Sequence, residues 1–352
     1  MKIAILSDTH SGIRNGSDIF SDYQERFYST IFFPYLKENG IKRIIHLGDY
    51  YDQRRTINIK TIEQNRKMFL DVIRSRGIHM DIIPGNHDVA YKDTNDLCSL
   101  KELLGHYVDC VDIHMDPKVI DYDGLNIALL PWINRSNEKE CGDFIASCSA
   151  PILMGHLELA GFKFLGNSGM VSRGAGISQF CRFESVYSGH YHTKSSSGNV
   201  TYLGAPMEYT WADCDDPKFF HVFDTDTRTI QPVRNPITLF KKIYYNNGPE
   251  EDVSENDIKG KYITVIIVRK SDLFEFDQFM DRIQSYGPIS VSIQESFDDL
   301  LEDVEDSESY KLEDTTTIIS NYIDAIDCEF DRDLLKKILF QLHTEALNYD
   351  AI

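Results

Sequence analysis

Five times in its first 192 residues this chain runs through a short apolar stretch and ends it on a loop that carries aspartate, asparagine or histidine. The loops are Asp8-Thr9-His10, Gly48-Asp49, Gly85-Asn86-His87-Asp88, Gly155-His156 and Gly189-His190-Tyr191-His192. Apolar runs of this length, closed by Gly or Ser, read as buried strands. Parallel strands gather their C-terminal ends at one rim, so the pattern calls for a fold in which the loops converge. Any one of them is ordinary turn chemistry; five, each on its own strand, are not. Brought together they offer two carboxylates, one amide oxygen and four imidazoles, with His87 to spare. That inventory suits borderline metals that take nitrogen and oxygen ligands, such as manganese, iron or zinc. It exceeds the needs of one ion and predicts two, ~3.5–4 Å apart, sharing a carboxylate.

The order of elements sets the fold class. Residues 2–7 read as a strand, Phe20 to Leu36 as a helix stopped by Asn39-Gly40, and Arg43 to Leu47 as the second strand. A basic loop, Gln53-Arg54-Arg55-Thr56, leads to a helix from Ile59 to Arg74, a third strand ending at Ile83, and a short helix from Leu97 to Leu104. Such alternation predicts an α/β fold with a largely parallel sheet. From residue 119 strands dominate. Val119–Asp121 and Leu125–Leu130 flank an Asp-Gly turn signal; Pro151–Met154, Ser185–Ser188, Val200–Leu203, Phe219–Phe223 and Arg228–Val233 follow. They predict a second sheet packed on the first, giving a two-sheet sandwich flanked by helices. After Pro236, three strands and a helix from Phe274 to Tyr286 predict a small α+β unit. Glu295 to Asp314 holds ten carboxylates and one lysine and reads as a solvated linker. Beyond it, Ile318, Ile319, Tyr322, Ile323 and Ile326, then Leu335, Ile338, Leu339, Leu342 and Ala346, fall at helical spacing. The expected division is 1–236, 237–294, a linker 295–314 and a helical segment 315–352.

A net charge of -20 argues against a polyanionic partner only if it is evenly spread. Residues 249–352 hold 26 acidic against 9 basic side chains, and residues 1–248 hold 30 against 27. Two divalent cations would bring the first part to about neutrality. The seven scattered cysteines read as reduced thiols of a cytoplasmic protein. No apolar run is long enough to span a membrane, and the N-terminus lacks the form of a signal peptide.

The five loops are similar to the calcineurin-like metallophosphoesterase superfamily, whose pattern runs D-x-H, G-D-x-x-D, G-N-H-D/E, G-H and G-H-x-H. The resemblance covers residues 1 to about 235. It implies Asp8, His10, Asp49 and His192 as ligands of one ion, and Asp49, Asn86, His156 and His190 as ligands of the other, with Asp49 bridging. It implies His87 as the histidine beside the scissile phosphate, with Asp88 either orienting it or serving the turn. Asp52, the second Asp of G-D-x-x-D, is expected to hold the loop without touching metal. Leu129-Leu130-Pro131-Trp132, Tyr202-Leu203-Gly204-Ala205-Pro206 and Pro217-Lys218-Phe219-Phe220 further resemble the SbcD/Mre-eleven DNA repair nucleases, and within them the T-even-type phage recombination endonuclease subunits. Many of those nucleases carry His where Asp52 stands, and that His is linked to exonuclease action, so the balance of exo- and endonuclease action stays open here.

That resemblance implies a DNA exo/endonuclease holding two Mn(2+), with Mg, Fe or Zn as alternatives. It also implies a homodimer formed through the helices near Ile59–Arg74 and Leu97–Leu104, and an SbcC-type coiled-coil ATPase bound through the C-terminal helices. A phage-encoded chain of this kind would act in the host cytoplasm. Arg14, Arg54 and Arg55, just after motif loops, are candidates for contact with DNA backbone phosphates. A metallophosphatase or cyclic-nucleotide phosphodiesterase accounts for the loops equally well, but not for the segments after them.

Overall fold

In the computed structural model, which describes residues 1–162, 171, 174–246, 253–269, 272–295, 323, 335, 336 and 339, alternate residues of the strand Lys2–Leu6 serve two cores. Ile3 and Ile5 face a second sheet, while Ala4 and Leu6 face a layer of helices. The period of two in strand side chains imposes this split. The same division recurs at Ile44 and Ile45 and, in the second sheet, at Ala128 and Leu129. Strands buried on both faces must be apolar throughout, which is why they read as continuous runs.

The first sheet is six-stranded, in the order Thr229–Asn235, Lys218–Asp224, Lys2–Leu6, Arg43–His46, His79–Ile82, Val111–Ile113. The last four run parallel; the first two form an antiparallel hairpin on the edge of Lys2–Leu6. The second sheet runs Ser195–Ser197, Val200–Tyr202, Ser185–Gly189, Ile152–His156, Leu125–Leu130, Lys118–Tyr122. The expected sandwich is therefore present, with one correction. The strands near Phe219 and Arg228 belong to the first sheet. Phe220 and Val222 face one core and Phe223 the other, as in any strand covered on both sides, so the pattern marks a strand without saying which sheet holds it.

The first helix runs without a break from Asp18–Phe27 through Tyr28–Phe32 to Phe33–Glu38. The middle segment is a widened π turn. Pro34 has no N–H to return to the carbonyl four residues back, and the wider turn absorbs the defect. Phe20, Tyr23, Phe27, Phe32 and Phe33 make its buried face. The second helix, Ile59–Asn65 continuing to Ser75, buries Phe69 and Ile73 in the same core. The expected helix from Leu97 begins only at Ser99, because Thr94–Cys98 pairs with Val89–Tyr91 in a hairpin. The Asp-Gly turn at Asp123-Gly124 has both residues at positive φ, 58° and 86°, as a two-residue hairpin requires. A helix at Glu138–Ser147 was not foreseen.

Phe240–Asn246, Tyr262–Arg269 and Ser290–Glu295 form a separate three-stranded sheet, parallel throughout, on which the helix Leu273–Ser285 packs. Parallel neighbours need crossovers, and Glu255–Ile258 and Leu273–Ser285 lie in them. This sheet and the sandwich share one compact unit, Met1–Glu295. The acidic linker and the C-terminal helices lie outside the described residues. The six described cysteines are unpaired, as expected. Among the described residues no helix is long and apolar enough to cross a membrane.

Candidate metal centre

All five loops leave their strands at one rim. The first two are zipped together by main-chain bonds: Asp8 N donates to Gly48 O (3.0 Å), His10 N to Asp49 O (3.0 Å) and Ser11 N to Tyr50 O (2.8 Å). Asp8, His10, Asp49 and His190 all take positive φ, at 52°, 45°, 52° and 86°. Side chains other than Gly hold that conformation only where their surroundings impose it. Two glycines permit the crowding. A Cβ at Gly85 would collide with the Asp49 carboxylate and backbone, and one at Gly189 with the Ser7 hydroxyl.

Two ligand clusters result, linked by a third group, His10, Asp49 and His87, whose ligand atoms lie within 4.8 Å of one another. Asp8, His10 and His192 bring one ligand atom each within 4.8 Å of one another, and so do Asp49, His156 and His190. Asn86 Oδ1 joins the second, 3.0 Å from His156 Nε2 and 2.8 Å from His190 Nδ1. Asp49 stands between them, its Oδ2 3.4 Å from His156 Nε2 and 3.9 Å from His10 Nε2. The seven residues expected as ligands are thus brought together, and Asp49 occupies the shared position.

The donor chemistry fits divalent ions. In the first cluster two imidazole nitrogens, His10 Nε2 and His192 Nε2, face each other at 3.1 Å in a buried setting. One ring can donate to the other there, and a cation at the same point could take both nitrogens in place of that proton. In the second, His156 Nδ1 donates to Leu47 O (2.7 Å), which fixes the ring and turns Nε2 toward Asp49 and Asn86. The carboxylate oxygens are held from behind by main-chain donors. His190 N bonds Asp8 Oδ1 (3.0 Å), His87 N bonds Asp49 Oδ1 (2.7 Å), and Ser7 Oγ donates to Asp8.

Burial and mutual charge shift every member. Burial lifts Asp8 to about 6, opposed by His156 and reinforced by the Asp49 charge. Against the cost of its own burial, Asp49 is held well below the usual carboxylate range by His156. Burial works against the charged forms of His10 and His156 too, yet Asp52 and Asp49 hold His10 up at about 9, and Asp49 holds His156 at about 9. His190 is pushed down to about 3 by burial and by His156. Carboxylates and imidazoles packed this closely must compensate one another's charge, a task that divalent cations perform when bound.

His87 lies half-buried at the edge, its ring 4.9 Å from that of His10. Its Nδ1 meets the Asp52 carbonyl oxygen at 2.5 Å. A carbonyl can only accept, so Nδ1 carries the proton and Nε2 is left for other work. Asp88 does not orient it. Its carboxylate is fully buried and accepts from Tyr50 N (3.0 Å), Tyr51 N (3.1 Å) and Gly85 N (2.9 Å), so it serves the turn. Three amides converge on that buried carboxylate, and the imidazole N–H is spent on the Asp52 carbonyl instead. Asp52 holds more than its own loop: its Oδ1 stands 3.3 Å from His10 Nδ1.

Other supports left no local signal in the sequence. Tyr209 OH donates to Asp8 O (2.8 Å) and Thr9 O (2.9 Å), and Gln24 Nε2 donates to Thr9 O (2.8 Å). Lys218 Nζ donates to His192 O (3.1 Å) and Asp213 Oδ1 (2.6 Å). The three arginines differ. Arg54 is half-buried and close enough to His190 to depress its ring further. Arg14 and Arg55 are exposed, with Arg14 Nη2 on Tyr209 O (3.5 Å) and Arg55 Nε on Ala90 O (3.4 Å).

Residues 1–194 match the family model described as calcineurin-like phosphoesterase. Over 350 residues, 98% of this chain and 99% of the relative, the sequence is 32% identical to exonuclease subunit 1 of Enterobacteria phage T4. Among solved structures, an archaeal phosphodiesterase is 15% identical and covers 67% of this chain and 100% of its own, with a TM-score of 0.35. A hypothetical protein from Thermus thermophilus is 10% identical over 66% of this chain and 98% of its own, with a TM-score of 0.36.

Proposed function

The chain belongs to the calcineurin-like phosphoesterase family, and from that premise we propose that it is the nuclease subunit of an SbcCD-like recombination and repair complex, hydrolysing DNA phosphodiester bonds with two metal ions. The observation that carries the chemistry is Asp49, which stands between two clusters of nitrogen and oxygen ligands beside His87. DNA as the substrate is supported by end-to-end similarity to a phage exonuclease subunit rather than by the loops alone.

Asp8, His10, Asp49 and His192 would hold one ion, and Asp49, Asn86, His156 and His190 the other. Bound there, manganese ions (or magnesium, iron or zinc) supply the Lewis acidity that in-line displacement at phosphorus requires. The chain's own part is positioning and proton management. His190 N and His87 N keep the Asp8 and Asp49 carboxylates aimed. The Asp52 carbonyl fixes His87 Nδ1–H, so His87 Nε2 is the atom that donates a hydrogen bond to the phosphate or a proton to the leaving oxygen when the ring is charged. Arg54 lines the approach, and Arg14 and Arg55 flank it for neighbouring phosphates.

The assembly follows the same reading. Most of the apolar stripe Ile62–Ile73 is used internally, with Phe69 and Ile73 fully buried. Ile59 (83% exposed) and Leu97 (46%) remain for a homodimer contact. The C-terminal helices would receive the coiled-coil ATPase, and the protein would work in the host cytoplasm. The test is manganese-dependent digestion of linear double-stranded DNA by wild type and His87→Ala. Digestion that disappears in the variant while bound metal stays the same supports the reading. Hydrolysis of p-nitrophenyl phosphate without any action on DNA would replace it with a phosphatase.

A further inference from the structure

A cavity of about 340 Å³ opens against His156, walled by Trp132, Leu159 and Phe180, with Asn134, Arg135 and Glu158 among its polar residues. Trp132 is its best-anchored wall. Its N–H donates to Pro84 O (2.9 Å), at the start of the Gly85-Asn86-His87 loop. Its carbonyl accepts from Asn95 Nδ2 (3.0 Å) and Asn137 Nδ2 (3.0 Å). Asn134 Nδ2 braces Asn95 Oδ1 at 2.6 Å, and Asn134 N bonds Asn137 Oδ1 at 2.8 Å. Three buried or half-buried asparagines are thus devoted to one tryptophan main chain. The result is an indole set 5.2 Å from the His190 ring and 5.9 Å from the His156 ring, still half-exposed.

Trp132 packs in part against the core, keeps the rest of its indole uncovered, and has its backbone fixed from three sides. A flat π surface beside the candidate metal centre, in the wall of a cavity that also touches His156, is an arrangement that can receive a base. The charge of the cavity selects among nucleic-acid groups. Glu138 and Glu158 lie in its lining with Arg135 and His156 against them, so the lining carries no excess of positive charge to recruit a second phosphate, and a neutral, planar group fits it. Gln179 offers an amide group to its edge.

We propose that this cavity is a nucleobase subsite: it takes the base of the nucleotide next to the scissile phosphodiester, stacked on Trp132, on the side of the Asn86–His156–His190 cluster. The proposal deepens the nuclease reading and rests on it for the substrate. It assigns Trp132 a positioning role, fixing the nucleotide so that the neighbouring phosphate lies over the metal clusters.

Two measurements test it separately from that reading. The chain has two tryptophans, so in a Trp211→Phe background the emission reports Trp132 alone. Titration with deoxyadenosine monophosphate should quench it, and titration with deoxyribose 5-phosphate should not. Equal effects of the two overturn the proposal. Quenching by the nucleotide in a protein that never cleaves DNA keeps the subsite and removes the nuclease. In single-turnover cleavage, wild type should slow about tenfold or more when the nucleotide beside the cleaved bond is abasic, as loss of one stacked base requires. Trp132→Ala should be slow on both substrates and indifferent to the base. Trp132→Phe, which keeps a ring, should retain base dependence, guarding against a folding artefact. A wild type indifferent to the abasic site, or a Trp132→Ala variant as base-dependent as wild type, would refute the role.

Discussion

Two groups of histidine and aspartate in this molecule look alike in composition and differ in everything that makes a metal site. One is the rim of Asp8, His10, Asp49, Asn86, His156, His190 and His192. The other is His79, Asp81 and Asp112, whose ligand atoms also lie within 4.8 Å of one another. In the second group the partners are already matched: His79 Nε2 to Asp112 (2.9 Å), His114 Nε2 to Asp81 Oδ1 (2.9 Å) and Arg43 to Asp81 (3.5 Å). Its members come from ordinary strands, where Asp81 and Asp112 are neighbours in register. At the rim, nitrogen faces nitrogen, one amide oxygen faces two rings, and four residues sit at positive φ on loops braced from several directions. Nitrogen and oxygen atoms that converge on one another from braced loops at positive φ, more than the number of His and Asp, mark where a cation belongs.

The largest effect that would break this contrast is at Asp49. Asp49→Asn should lower bound metal below two ions and slow phosphodiester hydrolysis by about 10³-fold or more, since several kcal/mol of charge stabilisation depend on the pair. Asp112→Asn should stay within about twofold of wild type. Metal analysis with single-turnover kinetics reads both, and loss of metal in the Asp112 variant would erase the distinction.

Next in size is stabilisation by manganese. At a free concentration 100 times the dissociation constant it should add about 2.7 kcal/mol per bound ion to the wild type and to His79→Gln. Asp49→Asn should gain far less. Thermal melts with and without a chelator give the comparison.

Asp52→Asn tests the support behind His10. Losing that carboxylate should weaken metal binding by about 10- to 100-fold, read by calorimetric titration, while its backbone carbonyl still holds His87. An unchanged affinity would make Asp52 a loop residue only. The smallest effect is His79→Gln, whose part-exposed pair with Asp112 should contribute at most about 1 kcal/mol in urea unfolding.

The residues proposed as ligands, and their meeting at one rim, were legible in the local pattern of the chain. Each ligand sits within a few residues of an apolar strand and a glycine or serine, so local pattern and the parallel-sheet rule suffice to bring Asp8, Asp49, Asn86, His156 and His190 to one rim. The alternation of strand and helix likewise determined the α/β sandwich, because burial on both faces writes itself as uninterrupted apolar residues. Tertiary structure alone decided the rest. It put the hairpin Lys218–Asn235 on the first sheet, took His87 away from Asp88 and gave it to the Asp52 carbonyl, and brought Tyr209 to Asp8 and Lys218 to His192. The physical reason is range. Tyr209 and Asp8 meet across 201 residues, and Asp52 acts on His87 through a main-chain carbonyl that every residue possesses. Hydrogen bonds of that kind leave no periodicity and no motif; they exist only once the sheets have brought the loops together.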